Sequence, residues 1–301
     1  MSGVEIGSSS RQRSIRRTEA RFAVGAQRSL FRRSWLPEQP DRVLVLVHGF
    51  GEHSGRYEGL AAWFAARGIA VHAYDHSGHG LSDGRRGHIE RFDDFLDDLG
   101  AFLETVQSEH ASLPCTIVGH SMGGLIVAAF ARERAPKVDR IVTSGPLLAL
   151  APGSGGGRLR RARVLRLLWP AFTTRVTIAP DALSRDPEVG RAYLDDPLVH
   201  SKATVSLAVA LGDGVRRTAA GGGALQLPIL MLHGGADVLC PAAASEAFFA
   251  AVTTKGSALQ IYPELRHEIF NEPEREAVYQ DILDWWVEGR VPSAQEASVS
   301  P

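Results

Sequence analysis

The sequence predicts an α/β domain built on a mostly parallel central sheet flanked by helices, and three observations carry that expectation. From Arg42 onward, short apolar runs alternate with stretches of helical period, the runs are rich in branched residues, and Gly-rich turns separate them. Alternation of this kind implies strands covered on both faces.

The elements follow in order. Residues 21–24 and 29–35 read as two strands around Gly25, with Pro37 and Pro40 closing the second, and a leading hairpin fits them. The apolar runs at 43–47, 69–74, 116–118, 141–142, 229–232 and 259–262 supply the remaining strands. Helical stretches lie near 57–66, 92–110, 123–133, 243–252 and 274–288. Phe92, Phe95, Leu96, Leu99, Phe102, Leu103 and Val106 recur at the spacing of one buried helix face.

Between residues 147 and 226 the alternation stops and the patterns become helical rather than strand-like, with Gly-rich segments at either end. So long a departure reads as an insertion that caps the sheet domain. The expected organisation is therefore a tail at 1–20, a core at 21–146, a cap or lid at 147–226, the second part of the core at 227–289, and a tail at 290–301. Both tails are expected to be disordered. The first is rich in Ser and Arg and poor in acids, as unstructured tails and organelle transit segments are.

The 301 residues carry 44% hydrophobic and 22% charged side chains with a formal net charge of −1, so no global attraction to nucleic acid or to a membrane is expected. Two cysteines, Cys115 and Cys240, argue against a disulfide scaffold. No apolar stretch reaches the ~18 residues of a spanning helix, and no secretory signal is evident, so a cytoplasmic protein is the expectation.

Chemistry concentrates at Gly119-His120-Ser121-Met122-Gly123-Gly124, between an apolar run and a helical stretch. Gly-x-Ser-x-Gly in a strand-turn-helix context is the nucleophile elbow of the α/β-hydrolase fold. A serine hydroxyl needs a base and the base needs an orienting acid, and in this fold the chain order is Ser, acid, His. Of eleven histidines, only His200, His233 and His267 follow Ser121. His200 lies in the insertion, and His233 precedes the best-placed acid, which marks it as a turn or core residue. His267 follows an apolar run and satisfies the order. Asp237, in HGGAD just past the run PILML, is the acid at the carboxyl end of a strand. The oxyanion needs two backbone donors, assigned to Met122 and to Phe50 in the loop after the first parallel strand. Cys240 follows Asp237 closely enough to be expected on the same loop, open to bulky thiol reagents.

At this point the sequence resembles the monoacylglycerol lipase and lysophospholipase branch of the α/β-hydrolases, from about residue 21 to residue 287. The resemblance is carried by HGFGEHSGRY at 48–57, YDHSGHGLSDG at 74–84, GHSMGG at 119–124 and HGGADVLC at 233–240, and more loosely by DPL at 196–198 and YPELRHEIFNE at 262–272. It implies the triad Ser121, Asp237 and His267, oxyanion donors Phe50 and Met122, and a polar head-group pocket shaped by Glu52 and Arg56. A loop salt bridge is the other reading of that last pair. Phe270 stands where some relatives carry a polar group.

The implied activity is ester hydrolysis through an acyl-enzyme, with a single-chain lipid ester or other small ester as substrate and with no cofactor, no metal and no nucleic-acid partner. Lysophospholipase, general carboxylesterase and thioesterase activities share the same chemistry, and a non-catalytic binding protein on this fold is a further alternative. Within the insertion, GRLRRARVLRLLWPAF combines arginines with apolar residues. The expectation is that its apolar side packs as a lid, and contact with an anionic membrane surface is the alternative.

Overall fold

Strands β1 (Ile15–Val24) and β2 (Arg28–Pro37) pair antiparallel at one edge of an eight-stranded sheet. The computed structural model describes residues 14–25, 28–150 and 156–291, so the expected tails lie outside the described residues at 1–13 and 292–301. Strand β1 begins at Ile15, where the sequence reading placed tail up to residue 20. Its mostly polar residues 16–21 hide a strand, and the ladder to β2, from Ile15↔Pro37 to Val24↔Arg28, supplies the order that composition does not advertise.

The chain continues through β3 (Arg42–Val47), α1 (Glu58–Ala65), β4 (Ile69–Tyr74), α2 (Phe92–Glu109), β5 (Cys115–His120), α3 (Met122–Arg134) and β6 (Arg140–Ser144). Next come α4 (Gly156–Leu168), β7 (Thr173–Arg175), α5 (Pro187–Asp195), β8 (Lys202–Thr204) and α6 (Val205–Ala219). The last group is β9 (Ile229–Gly234), α7 (Ala242–Phe249), β10 (Ala258–Tyr262) and α8 (Arg275–Glu288). The sheet order is β1-β2-β4-β3-β5-β6-β9-β10, antiparallel for β1-β2 and β2-β4 and parallel from β4 onward.

Successive side chains of a strand point to opposite faces, so each central strand feeds two cores. In β4, Val71 and Ala73 join Leu60, Phe64, Ile282 and Trp285 of α1 and α8. Ala70 and Tyr74 join Phe95, Leu99, Phe102 and Leu125 of α2 and α3 on the other side. This double coverage explains the near-continuous apolar runs, and the parallel order places the carboxyl ends of β5, β9 and β10 along one edge of the sheet, with β6 between β5 and β9.

The elements from α4 to α6 leave the main sheet. Strands β7 and β8 form a separate two-stranded antiparallel ladder, Thr173↔Thr204 to Arg175↔Lys202. The sequence reading gave this region helical patterns alone, since three-residue strands are too short to display an alternation. Helix α4 also departs from expectation. Leu159 packs against Gly212 of α6, yet Leu167 is 84% exposed and Trp169 61%, with Val164, Leu168 and Phe172 also in solvent. The apolar residues spread around α4 instead of forming one stripe, so a single contact with α6 cannot cover them. Among the described residues no helix is long and apolar enough to cross a membrane.

Candidate active site

Ser121 stands between β5 and α3 with φ 54° and ψ −117°, a backbone conformation that costs on the order of 1–3 kcal/mol for a residue with a Cβ. The flanking glycines make this turn possible. A Cβ on Gly119 would lie 2.4 Å from the Gly123 carbonyl oxygen, and one on Gly123 would lie 2.1 Å from that of Val47. The chain crosses itself too closely for any side chain there. Ser121 N–H donates to Ser144 O at 2.9 Å, which ties the elbow to the neighbouring strand end.

Asp237 follows β9 and His267 follows β10, and the two meet at 2.7 Å between Oδ2 and Nδ1. Asp237 Oδ1 accepts from the N–H groups of Leu239 at 2.8 Å and Cys240 at 2.9 Å. Burial alone would raise the Asp237 pKa, but hydrogen bonds from His233 and His267 and from the Cys240 N–H hold it well below the usual carboxylate range. An ionised Asp237 requires the proton of His267 on Nδ1, so Nε2 is the basic nitrogen. Gly145, just past β6 and at φ 49°, leaves room for this pair: a Cβ there would meet Nδ1 of His267 at 3.2 Å and Oδ2 of Asp237 at 3.3 Å.

Ser121 and His267 line one cavity together with Gly49, Phe50, Glu52, Arg56, His120 and Glu268, closed from the α4–α6 side by Ile178, Leu183 and Tyr193. Its volume is about 40 Å³, room for a few waters and far too little for an acyl chain. The Ser121 hydroxyl faces the Cys240 thiol, and no hydrogen bond joins it to His267 among the described residues. Cys240 itself is 3% exposed, and burial, with Asp237 adding to it, pushes its thiol above the ordinary range. It is closed to bulky reagents, contrary to the expectation from its position, because it is buried behind the loop, against Ser121 and Asp237.

The backbone N–H groups of Phe50 and Met122 are left without a protein acceptor among the described residues. Met122 opens α3, where an N–H has no helical partner and the helix dipole favours negative charge. The loop carrying Phe50 is held on three sides. Gly49 N–H donates to Glu52 at 2.6 Å, Ser54 N–H and Oγ–H donate to Asp75 at 2.8 and 2.6 Å, and His200 N–H donates to Gly51 O at 2.8 Å. Asp75 and its segment YDHSGHG therefore buttress the loop HGFGEHSGRY, which gives a physical reason for two rare motifs to occur together. The DPL segment joins them through Asp196, which accepts from His53 Nε2 at 2.8 Å.

Glu52 and Arg56 both reach the cavity, but their polar atoms are largely spent on each other. Arg56 donates to Glu52 Oε2 at 2.9 Å and bidentately to Glu268 at 2.6 and 2.9 Å, while Glu52 Oε1 also accepts from Tyr57 Oη–H at 2.7 Å. Burial would lower the Arg56 pKa, and Glu268 and Glu52 more than reverse it. The pair lines the cavity wall and belongs to a buried ion-pair network, which is the loop salt bridge of the second reading. Glu268 was not singled out from the sequence, although it directly follows His267. His233 is a core residue at the end of β9, as its position predicts, and it has a further contact: its Nε2 lies 3.3 Å from Asp237 Oδ2 and donates to Cys240 O at 2.9 Å, with Nδ1 accepting from Ser245 Oγ–H at 2.8 Å. Only the acceptor carbonyl, invisible in sequence, fixes that tautomer. Phe270 packs beside His120, with 6.3 Å between rings, and does not line the cavity.

Residues 38–274 match the family model described as serine aminopeptidase, S33. The monoacylglycerol lipase of Mycolicibacterium smegmatis is 38% identical over 277 residues, covering 90% of this chain and 97% of the relative. The human monoglyceride lipase is 33% identical, covering 89% of this chain and 90% of the relative. Among solved structures, the monoacylglycerol lipase of Paleococcus ferrophilus superimposes with a TM-score of 0.79 at 32% identity, covering 87% of this chain and 99% of that one.

Proposed function

The chain belongs to the serine aminopeptidase S33 family of α/β-hydrolases, and from that membership we propose that it is a monoacylglycerol lipase working through Ser121, His267 and Asp237. It is an ester hydrolase. The observation that carries the proposed site is the 2.7 Å contact of a buried, ionised Asp237 with His267, which lines the same cavity as the strained Ser121.

In the proposed mechanism, Ser121 Oγ attacks the ester carbonyl carbon while its proton passes to His267 Nε2. The carbonyl oxygen becomes an oxyanion that accepts from the N–H groups of Phe50 and Met122, each typically worth ~10²–10³ in rate. Collapse breaks the bond to the glycerol oxygen, which takes the proton from His267 and departs. Water then attacks the acyl-enzyme, gives its proton to His267, and releases the fatty acid as Ser121 is reprotonated. Asp237 stays ionised throughout and stabilises the imidazolium.

The segment from α4 to α6 acts in this reading as a cap. Ile178, Leu183 and Tyr193 close the 40 Å³ cavity, so the acyl chain enters only when they move aside. Outside the cap, Val164, Leu167, Leu168, Trp169 and Phe172 stand exposed beside the exposed Arg160 and Arg161. An apolar surface with basic neighbours suits the interface of an anionic membrane, where single-chain lipid esters reside.

The test is a comparison of initial rates on mono-, di- and triacylglycerols of equal acyl length and on lysophospholipid, in detergent micelles at equal surface fraction, with Ser121→Ala as control. A monoacylglycerol should be turned over about a hundredfold faster than the triacylglycerol. Two further chains would press on the buried Glu52–Arg56–Glu268 network, and ~3 kcal/mol of desolvation corresponds to that factor. Equal rates would overturn the single-chain reading, and a preference for lysophospholipid would move the substrate assignment.

A further inference from the structure

Away from the cavity, where α2 ends and the chain turns toward β5, His72, Glu109 and His110 bring one donor atom each within 4.8 Å of one another. His72 Nε2 and His110 Nε2 face each other at 3.0 Å. Two neutral imidazoles meet in this way either by passing one proton between them or by turning both lone pairs to a shared cation. We infer that His72, His110 and Glu109 form a site for one divalent transition-metal ion of the zinc class, tying β4 to the end of α2.

The environment fits such an ion in two respects. First, the outer nitrogen of His72 is already held: Nδ1 lies 2.9 Å from Ser34 Oγ on the adjoining strand β2. Donation of Nδ1–H to the serine leaves the Nε2 lone pair pointing at His110, and partners of this kind orient metal-ligating histidines. Second, His110 caps α2 at the edge of solvent, which gives an ion a path in and gives the ring freedom to adjust. Zn–N bonds of about 2.0–2.1 Å at a tetrahedral angle need nitrogens roughly 3.3 Å apart, so the ring has only a few tenths of an ångström to move.

One feature works against tight binding. Arg32 pairs with Glu109 Oε1 at 2.5 Å, and its charge acts on both histidines. The carboxylate is therefore shared, and the two imidazoles carry most of the affinity. That balance selects zinc, nickel or copper over magnesium or calcium, which need oxygen donors.

The test uses the full chain stripped with a chelator and titrated with zinc chloride by calorimetry, and with Co(II) by its visible absorption. The expected result is one equivalent of zinc, a tetrahedral Co(II) spectrum, and a zinc-dependent rise in thermal midpoint. His110→Ala should weaken zinc binding at least tenfold and abolish the rise, and Ser34→Ala should weaken it about tenfold through His72. Unchanged ester turnover by His110→Ala without metal would report that its fold is intact. Absence of zinc binding, or binding of equal affinity in His110→Ala, would overturn the assignment and in the latter case place the ion among other histidines.

Discussion

Nε2 of His233 lies 3.3 Å from Oδ2 of Asp237, the same oxygen that accepts the hydrogen bond from His267 Nδ1–H. Asp237 is thus gripped from two imidazoles and two backbone N–H groups, all at the mouth of β9. The carboxylate can be both buried and ionised because every lone pair has a donor.

Asp237→Asn should keep the fold and lower kcat by about 10⁴, because an amide offers the wrong partner to His267 and inverts its tautomer. Combining it with Ser121→Ala should cost little beyond the serine change alone, since the residues act as a unit. Steady-state rates with circular dichroism as the fold control check this. Near-normal turnover by Asp237→Asn would show that another group orients the base.

His233 is a positioning residue in this scheme, and its removal should read out on kcat with KM unchanged. His233→Ala takes away the one Nε2–H that donates to Cys240 O and lies beside Asp237, a loss of about 1–3 kcal/mol, or roughly tenfold to hundredfold in rate. His233→Gln, whose amide nitrogen can occupy the place of Nε2, should recover part of it. If both variants changed stability while kcat stayed normal, the residue would be purely structural.

The Glu52–Arg56–Glu268 network predicts an acid-sensitive fold. Burial would raise the Glu268 pKa, but Arg56, by charge and by hydrogen bonds, holds it below its ordinary 4.5. A carboxylate depressed on folding adds stability above its unfolded value, and that stability is lost as pH falls through the folded value. Urea midpoints should therefore drop on acidification below about pH 4.5, with a shallower slope in Glu268→Gln. Arg56→Met, which strands two buried carboxylates, should cost about 3–5 kcal/mol at neutral pH. A pH-independent midpoint in this window would contradict the network's role.

Leu167→Glu and Trp169→Glu should each reduce partitioning onto anionic phosphatidylglycerol vesicles by about tenfold or more, since burial of a large apolar side chain contributes ~1.5–3 kcal/mol. Turnover of a short, water-soluble ester should be unaffected. Sedimentation with vesicles measures the first effect and a chromogenic ester the second. Undiminished vesicle binding would leave the exposed face of α4 without a membrane role.

The order Ser121, Asp237, His267 was legible because each follows an apolar run that could only be a buried strand, and a parallel sheet places such residues along one edge. Gly119 and Gly123 were legible too, since a Gly-rich strand-to-helix turn announces where a Cβ has no space. The pairing of Glu268 and the contact of His233 with Asp237 were not, because the partners Arg56 and Asp237 are distant in sequence or matched through a carbonyl and a tautomer. The strand at 15–20 was hidden in mostly polar residues, and its order comes from the ladder to β2.

The local alternation of apolar runs, glycines and helical stretches by itself determined the class of sheet, the elbow at Ser121 and the chain order of its partners, because these depend on near neighbours and period. Tertiary structure alone decided that Arg56 would spend its charge on Glu52 and Glu268, that Cys240 would be buried, and that α4 would leave Leu167 and Trp169 in water. Those outcomes depend on which groups from remote segments arrive within a few ångströms, where burial and pairing outweigh any local preference.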